Sequence, residues 1–367
     1  MSDEAYMGRA LELAERGWGI VSPNPMVGAV VVSADGAIVG EGWHEGPGTA
    51  HAEVVALTHA RDAARGATLY STLEPCNHHG RTPPCTEAIV AAGVASVVTG
   101  HVDPNPIVSG SGHGTLRAAG VRVVDGVLAD RVARKNRAYL THVTTGRPFV
   151  VWKVAMSLDG KVAARDGSSR WITGEPARAD VHRLRAWADA VVVGAGTVLA
   201  DDPSLTVRHE GYRGEPPLRV IVDGRGRVPS TARVFDAEAP TLVATSTSAP
   251  GDIRERWAAT GAEVEILDAS EAGTISVAGL VERLGKRDVQ GVLLEGGPTL
   301  AWSAVENGAV DEIVVYLAPK LIGGVEAPGA LGGLGADAIA AARGVEIHGF
   351  ERIGDDLKVV ADVHRDR

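Results

Sequence analysis

At 367 residues the chain exceeds one ordinary hydrophobic core, so two domains are expected, each large enough to fold alone. A net charge of −10 and 4% aromatics argue against a nucleic-acid surface, which carries a basic footprint and stacking platforms. The two cysteines suit a reduced, cytoplasmic setting, and the acidic start and strand-length apolar runs predict neither a signal peptide nor a membrane span.

In chain order, residues 3–17 read as a helix capped by Asp3 and stopped by Gly17. A hairpin follows, 28–32 with 37–40 around Asp35-Gly36. Residues 50–64 form a helix carrying His51 and Glu53 in its first turn. Then come a strand over 68–73, a helix from 85 to 92, a strand over 95–99, a helix over 114–119, a strand over 121–124 and a basic helix over 129–142. The polar Gly/Pro stretch 144–148 marks the boundary, giving domains 1–146 and 147–367. The second half opens on a strand from 149 to 154 and a helix over 176–188. Strands at 190–193, 218–222, 241–245 and 263–267 alternate with helices at 252–259 and 276–285. A strand ending at Gly296-Gly297 runs into a helix at Pro298, and strands near 313–317, 345–350 and 357–363 close the chain. Strand–helix alternation throughout predicts layered α/β sheets.

The chemistry concentrates between His51 and Cys85. His51, Cys76 and Cys85 suit one Zn²⁺, and three protein ligands leave the fourth tetrahedral position for water. Zinc so held lowers the pKa of its water towards neutrality. Glu53, two residues past the histidine, stands where it can shuttle that water's proton. The layout is that of a zinc-dependent nucleobase deaminase, H-x-E followed by P-C-x-x-C, except that eight residues separate these cysteines. The bland alternatives are a structural zinc, with His78 or His79 as a fourth ligand, or two buried cysteines beside a surface histidine. Asn24, between two prolines, and His44 can read a substrate edge or simply make turns. The loop from Asp103 to Pro106 leads through a Gly-rich stretch, 110–114, to a helix start able to cradle phosphate. Gly194-x-Gly196 and Gly296-Gly297 follow strands and can present N–H groups to a pyrophosphate, although neither is a G-x-G-x-x-G fingerprint. Arg183, Arg185 and Arg208 can hold a phosphate or be ordinary surface arginines.

The run Thr72-Leu73-Glu74-Pro75-Cys76-Asn77-His78-His79-Gly80-Arg81-Thr82-Pro83-Pro84-Cys85 resembles the zinc segment of the riboflavin-biosynthesis deaminase–reductase (RibD) family, whose cysteine spacing is the wide one seen here. Further matching stretches are Pro23–Gly28, His51–Glu53, Asp103–Pro106, Ser157–Gly160, Trp171–Thr173, Thr197–Pro203 and Glu295–Leu300. Asn77 replaces the serine usual in the family. The resemblance implies two three-layer α/β domains, a cytidine deaminase-like one and a dihydrofolate reductase-like one. It implies zinc-dependent deamination of 2,5-diamino-6-ribosylamino-4(3H)-pyrimidinone 5′-phosphate, then reduction of the ribosyl chain with NADPH. Carried over by position, Asn24, His44, Arg81 and Asn105 contact the deaminase substrate. Ala155, Trp171, Thr197, Asp201, Gly224 and the turn Gly297, Pro298, Thr299, Leu300, Ala301, Trp302 and Ser303 hold NADPH. Ser169, Arg185, Leu205, Arg208 and Glu295 hold the reductase substrate, and Lys153 and Asp201 are candidates for proton transfer or for orienting the opened sugar. The partner implied is a small pyrimidine ribose phosphate, with no nucleic acid and no membrane, and a homo-oligomer is expected.

Overall fold

The computed structural model describes residues 1–79, 83–106, 108–269 and 274–363. The chain divides into two compact units, Met1–Gly146 and Arg147–Arg367.

The first unit runs α1 (Asp3–Ala14), β1 (Gly28–Val32), β2 (Ile38–Trp43), α2 (Ala52–Ala60), β3 (Thr68–Leu73), α3 (Cys85–Ala92), β4 (Ser96–His101), α4 (Ser111–Ala118), β5 (Arg122–Val124), α5 (Ala129–Lys135) and α6 (Arg137–Thr145). Its five-stranded sheet has the order β2-β1-β3-β4-β5, antiparallel across β1 and parallel from β3 to β5. Every residue of β1 is buried, as a central strand covered on both faces must be. Ala29 and Val31 face Ala52, Ala56 and Ala60 of α2 with Ile89 and Leu116, while Val30 and Val32 face Tyr6, Met7, Ala10 and Leu13 of α1. This is a three-layer α/β/α stack.

Two glycines of β2 set how closely α2 lies on the sheet. A Cβ at Gly42 would stand 2.3 Å from the Ala52 carbonyl oxygen, and one at Gly40 would stand 2.2 Å from that of Ala56. The alanines opposite complete a near backbone-to-backbone approach that fixes the start of α2. There the expected helix over 50–64 is shorter. His51 is the N-cap in extended conformation, Glu53 lies in the first turn, and Arg61–Ala64 tighten into a 3₁₀ turn. The basic helix expected over 129–142 is two helices broken at Asn136. That side chain is buried and bonds both backbone groups of Met26, accepting from its N–H at 2.8 Å and donating to its carbonyl at 3.0 Å. The break therefore anchors the loop that carries Asn24.

The second unit runs β6 (Phe149–Ser157), α7 (Glu175–Trp187), β7 (Ala190–Gly194), α8 (Ala195–Asp201), β8 (Leu218–Val222), β9 (Thr241–Thr245), α9 (Gly251–Ala259), β10 (Glu263–Ile266), α10 (Val277–Gly285), β11 (Gly291–Leu294), α11 (Pro298–Glu306), β12 (Glu312–Ala318), β13 (Val345–Ile353) and β14 (Asp356–Val363). Its nine-stranded sheet has the order β10-β9-β8-β7-β11-β6-β12-β14-β13. The strands from β10 to β12 are parallel and the β14–β13 edge is antiparallel. On one face Val150, Trp152, Val192, Val220 and Leu294 pack against Leu280, Leu284, Ala301 and Val305 of α10 and α11. On the other, Val151, Val191, Val193, Ile221 and Leu293 are also buried, so both faces are covered. The turn expected at Gly194–Gly196 is the start of the short helix α8, which Gly196, Thr197 and Val198 disguise by poor helix propensity.

Candidate active sites

In the first unit the end of β3, the start of α2 and the start of α3 converge. His51 Nδ1 lies 3.1 Å from Cys85 Sγ and 3.4 Å from Cys76 Sγ, and the two sulfurs are 3.4 Å apart. Zinc bonds of about 2.3 Å to sulfur and 2.0 Å to nitrogen make tetrahedron edges of about 3.5–3.8 Å, so the triangle needs to open only slightly to hold the ion. Among the described residues these three form the metal-ligating group, and neither His78 nor His79 belongs to it. The backbone N–H of Cys85, first residue of α3, donates to Cys76 Sγ at 3.3 Å. A hydrogen bond from Cys85, with His51 beside it, holds the Cys76 thiol below its ordinary pKa, and the same bond with burial pushes Cys85 up. Asn77 accepts a bond from the Thr86 hydroxyl at 2.8 Å and so ties the Cys76 segment to α3.

Glu53 is buried at the edge of this triangle, its Oε2 3.7 Å from Cys85 Sγ and its Oε1 accepting from the Ser71 hydroxyl at 3.4 Å. Burial pushes its carboxyl up from the ordinary value, with His51 opposing. His44 is buried with its ring edge-on to His51. Its Nδ1 lies 3.3 Å from the Ala50 carbonyl and its Nε2 lies 2.9 Å from the Asn24 amide nitrogen. A carbonyl only accepts and an amide NH₂ only donates, so the ring is a neutral Nδ1–H tautomer. Burial lowers the His44 pKa accordingly. Asn105 follows buried Asp103, whose carboxylate accepts the Asn105 N–H at 2.9 Å. Arg81 lies outside the described residues.

In the second unit a cavity of about 1060 Å³ opens at the carboxyl ends of the parallel strands. Lys153, Ala155, Ser169, Trp171, Thr197, Asp201, Arg185, Arg208, Gly224 and Glu295 line it, together with Gly297, Pro298, Thr299, Leu300 and Ser303. Ala301 instead lies in the core, Trp302 packs against that core and Gly333, and Leu205 is buried. Gly194 and Gly297 are the N-caps of α8 and α11, and neither helix start carries a side-chain cap. The first-turn N–H groups of α8, and those of Thr299 and Leu300 after Pro298 in α11, can therefore face an anion, and the Gly296-Gly297 pair lets it approach. The residues present therefore fit a pyrophosphate-bearing cofactor.

One carboxylate organises the polar wall. Glu295 Oε1 accepts from Arg185 Nε at 2.6 Å, and its Oε2 accepts from Arg185 Nη2 at 3.1 Å and pairs with Lys153 Nζ at 3.0 Å. Burial would raise its pKa, but Arg185 and Lys153 more than offset this and hold it well below the carboxylate range. Asp201 accepts from the Ser169 hydroxyl at 3.2 Å. Polar residues that the sequence did not single out also line the cavity, among them Arg178, His182, Arg225 and Arg227. Arg178 stacks 4.5 Å over the Trp171 ring. His182 stands one helical turn before Arg185, its Nδ1 3.2 Å from the Arg208 backbone nitrogen, and burial with Arg185 and Arg208 lowers its pKa to about 4. Its i, i+3 spacing places it on the helix face of Arg185, a pattern too common on helix surfaces to mark a site by itself.

Comparison with known proteins agrees with both geometries. Residues 1–101 match the cytidine and deoxycytidylate deaminase zinc-binding region, and residues 148–359 match the RibD C-terminal domain. The chain is 43% identical to the riboflavin biosynthesis protein RibD of Escherichia coli over 88% of its length and 89% of that protein. It is 41% identical to the RibD of Bacillus amyloliquefaciens over the full length of both. Among solved structures, Acinetobacter baumannii RibD superposes with a TM-score of 0.87 at 38% identity, covering 99% of each chain. A Thermotoga maritima diaminohydroxyphosphoribosylaminopyrimidine deaminase/5-amino-6-(5-phosphoribosylamino)uracil reductase gives the same score and coverage at 37% identity. The chain belongs to the RibD family, the bifunctional deaminase–reductases of riboflavin biosynthesis.

Proposed function

We propose that residues 1–146 are the zinc-dependent deaminase and residues 147–367 the NADPH-dependent reductase, acting in turn on one pyrimidine ribose phosphate. The first reaction converts 2,5-diamino-6-ribosylamino-4(3H)-pyrimidinone 5′-phosphate to 5-amino-6-(5-phosphoribosylamino)uracil. The second yields 5-amino-6-(5-phosphoribitylamino)uracil. The observation that carries this reading is one chain holding both a three-ligand cluster beside a buried acid and a separate cavity walled by a Lys153–Glu295–Arg185 cluster.

In the deaminase, His51, Cys76 and Cys85 hold the metal. Zinc, when bound, supplies the acidity that makes a water nucleophilic at neutral pH. Glu53 takes that water's proton and delivers protons to the ring nitrogen and the leaving amine, work that suits a carboxyl raised by burial. Asn24 and neutral His44, fixed by each other, read the pyrimidine edge, with Asn105 and Arg81 completing the grip.

In the reductase, Ala155, Trp171, Thr197, Asp201, Gly224 and the α11 start from Gly297 hold the cofactor, with Ala301, Trp302 and Leu205 supporting from behind. NADPH, when bound, supplies the hydride that reduces the sugar carbon C1′ in its opened form. Arg185, Arg208, Ser169 and Glu295 orient the substrate. Lys153, held by Glu295, or Asp201 supplies the proton that the reduction also consumes.

The chain's acidity favours a small substrate over nucleic acid. Among the described residues no helix is long and apolar enough to cross a membrane, in keeping with a cytoplasmic enzyme. The edge strand β13 exposes Val345, Ile347 and Phe350, which supports a homo-oligomer. The test is incubation of purified protein with the diaminopyrimidine phosphate, with and without NADPH, reading products by mass. We expect one amino-to-oxo exchange without cofactor and two further hydrogens with it; an unchanged substrate in both arms refutes the reading.

A further inference from the structure

Glu74 directly precedes Pro75-Cys76, is 3% exposed, and is neither one of the three metal-ligating residues nor a position assigned above to substrate. Its carboxylate accepts three backbone N–H groups from a single stretch of chain. Oε2 takes those of Gly110 at 3.0 Å and Asp103 at 3.3 Å, and Oε1 takes that of His113 at 3.1 Å. These donors bracket the loop that leaves β4 and enters α4. Inside the loop, Asp103 accepts the Asn105 N–H and two contacts from the Tyr139 hydroxyl, at 3.0 and 3.1 Å. The Asn105 carbonyl in turn accepts from Val108 and Ser109, both at 2.8 Å. The first turn of α4, which the loop enters, also lies hard against the ligand segment, since a Cβ at Gly112 would stand 2.1 Å from the Pro75 carbonyl oxygen. One carboxylate thus ties the backbone around Cys76 to the backbone that presents Asn105.

We propose that Glu74 is a positioning residue of the deaminase, setting the distance between the metal ligands and Asn105 and thereby substrate affinity. The inference rests on the reading of Asn105 as a substrate contact. A buried carboxylate that merely stabilised the fold would lower stability and active fraction without changing KM. A positioning role moves KM, because the amide it holds must meet the substrate at a fixed place.

The experiment uses the full-length, zinc-loaded chain and deamination of the diaminopyrimidine phosphate. Glu74→Gln keeps the shape but turns an NH₂ group towards backbone donors, leaving them unpaired. KM is expected to rise about tenfold, the fold-change of one lost charge-assisted hydrogen bond, with kcat within about twofold. Zinc content and reductase turnover of deaminated substrate stay unchanged. Asn105→Ala raises KM alone, and the double variant is no worse than Asn105→Ala by itself, because Glu74 acts only through that contact. If Asn105→Ala leaves KM unchanged, the substrate reading of Asn105 falls and takes this inference with it. If Asn105→Ala raises KM but Glu74→Gln does not, if their effects multiply, or if Glu74→Gln loses zinc, the inference alone is overturned. Should Glu74→Gln not fold, Glu74→Asp makes the same test by drawing the carboxylate back from the three N–H groups, and an unchanged KM there overturns it equally.

Discussion

The two chemical centres of this chain are built on opposite plans. In the first unit, three ligand atoms within 4.8 Å of one another and one buried acid come from two short segments, 51–53 and 76–85. In the second, a cavity of about 1060 Å³ is assembled from side chains scattered between Lys153 and Ala330, and its centre is an ion cluster. The first centre borrows its reactivity from a metal and needs few residues, set with small tolerance. The second must hold a large cofactor and a sugar together, so its work is positioning spread over many contacts. Single changes should therefore be sharp and local in the first unit and broader in the second.

The largest expected effect is at Glu53. Glu53→Gln keeps the size and the Ser71 contact but cannot carry a proton. Deaminase kcat should fall by about 10²–10⁴, the usual worth of a positioned general acid–base, while zinc content and reductase turnover stay as they were. Deamination retained within tenfold, measured as ammonia release, would remove Glu53 from the mechanism. Next comes Glu295→Gln, which leaves Arg185 and Lys153 as two cations side by side without their carboxylate. Breaking such a buried cluster costs about 3–5 kcal/mol, and reductase kcat/KM should drop about 10²-fold with deamination untouched. Here stability and activity fall together, unlike Glu53→Gln. A variant losing activity at full stability would mean that the second centre is as local as the first.

Legibility in the sequence follows the same division. The metal centre was readable because H-x-E and the two P-C pairs are short-range patterns whose residue types leave few other uses. The parallel strands 218–222 and 241–245 appear where their apolar runs place them. What escaped depended on tertiary contacts. Asn136 breaks a well-patterned basic helix because its amide is committed to Met26, 110 residues away. The helix α8 hides behind poor helix formers, of which Gly196 and Thr197 belong to the cavity wall and Val198 is buried. The reductase positions came from family resemblance, and that transfer is uneven. Arg185 and Glu295 meet in the cavity wall, whereas Ala301 and Leu205 are buried away from it. Arg178 and His182 carry no local signal strong enough to separate them from ordinary helix-surface residues.

The smallest expected effect concerns His182 and tests how dry the second centre is. Burial first, then Arg185 and Arg208, lowers its pKa to about 4, against about 6.5 in an unfolded chain. The folded pKa is the depressed one, so the contribution to stability is whole above pH 6.5. It is lost as pH falls from 6.5 towards 4, because only the unfolded chain takes up the proton in that window. The ring is half-buried, so water screens much of the shift and about 1 kcal/mol is expected across the window. Calorimetric unfolding of the full chain at several pH values between 7 and 4.5 reads this as a slope in the reductase transition. His182→Gln should flatten that slope while leaving the transition at pH 7 nearly in place. Equal slopes in the two proteins would show that His182 protonates freely in the fold, and that the wall formed by Arg185, Glu295 and Lys153 is wetter than its hydrogen bonds imply.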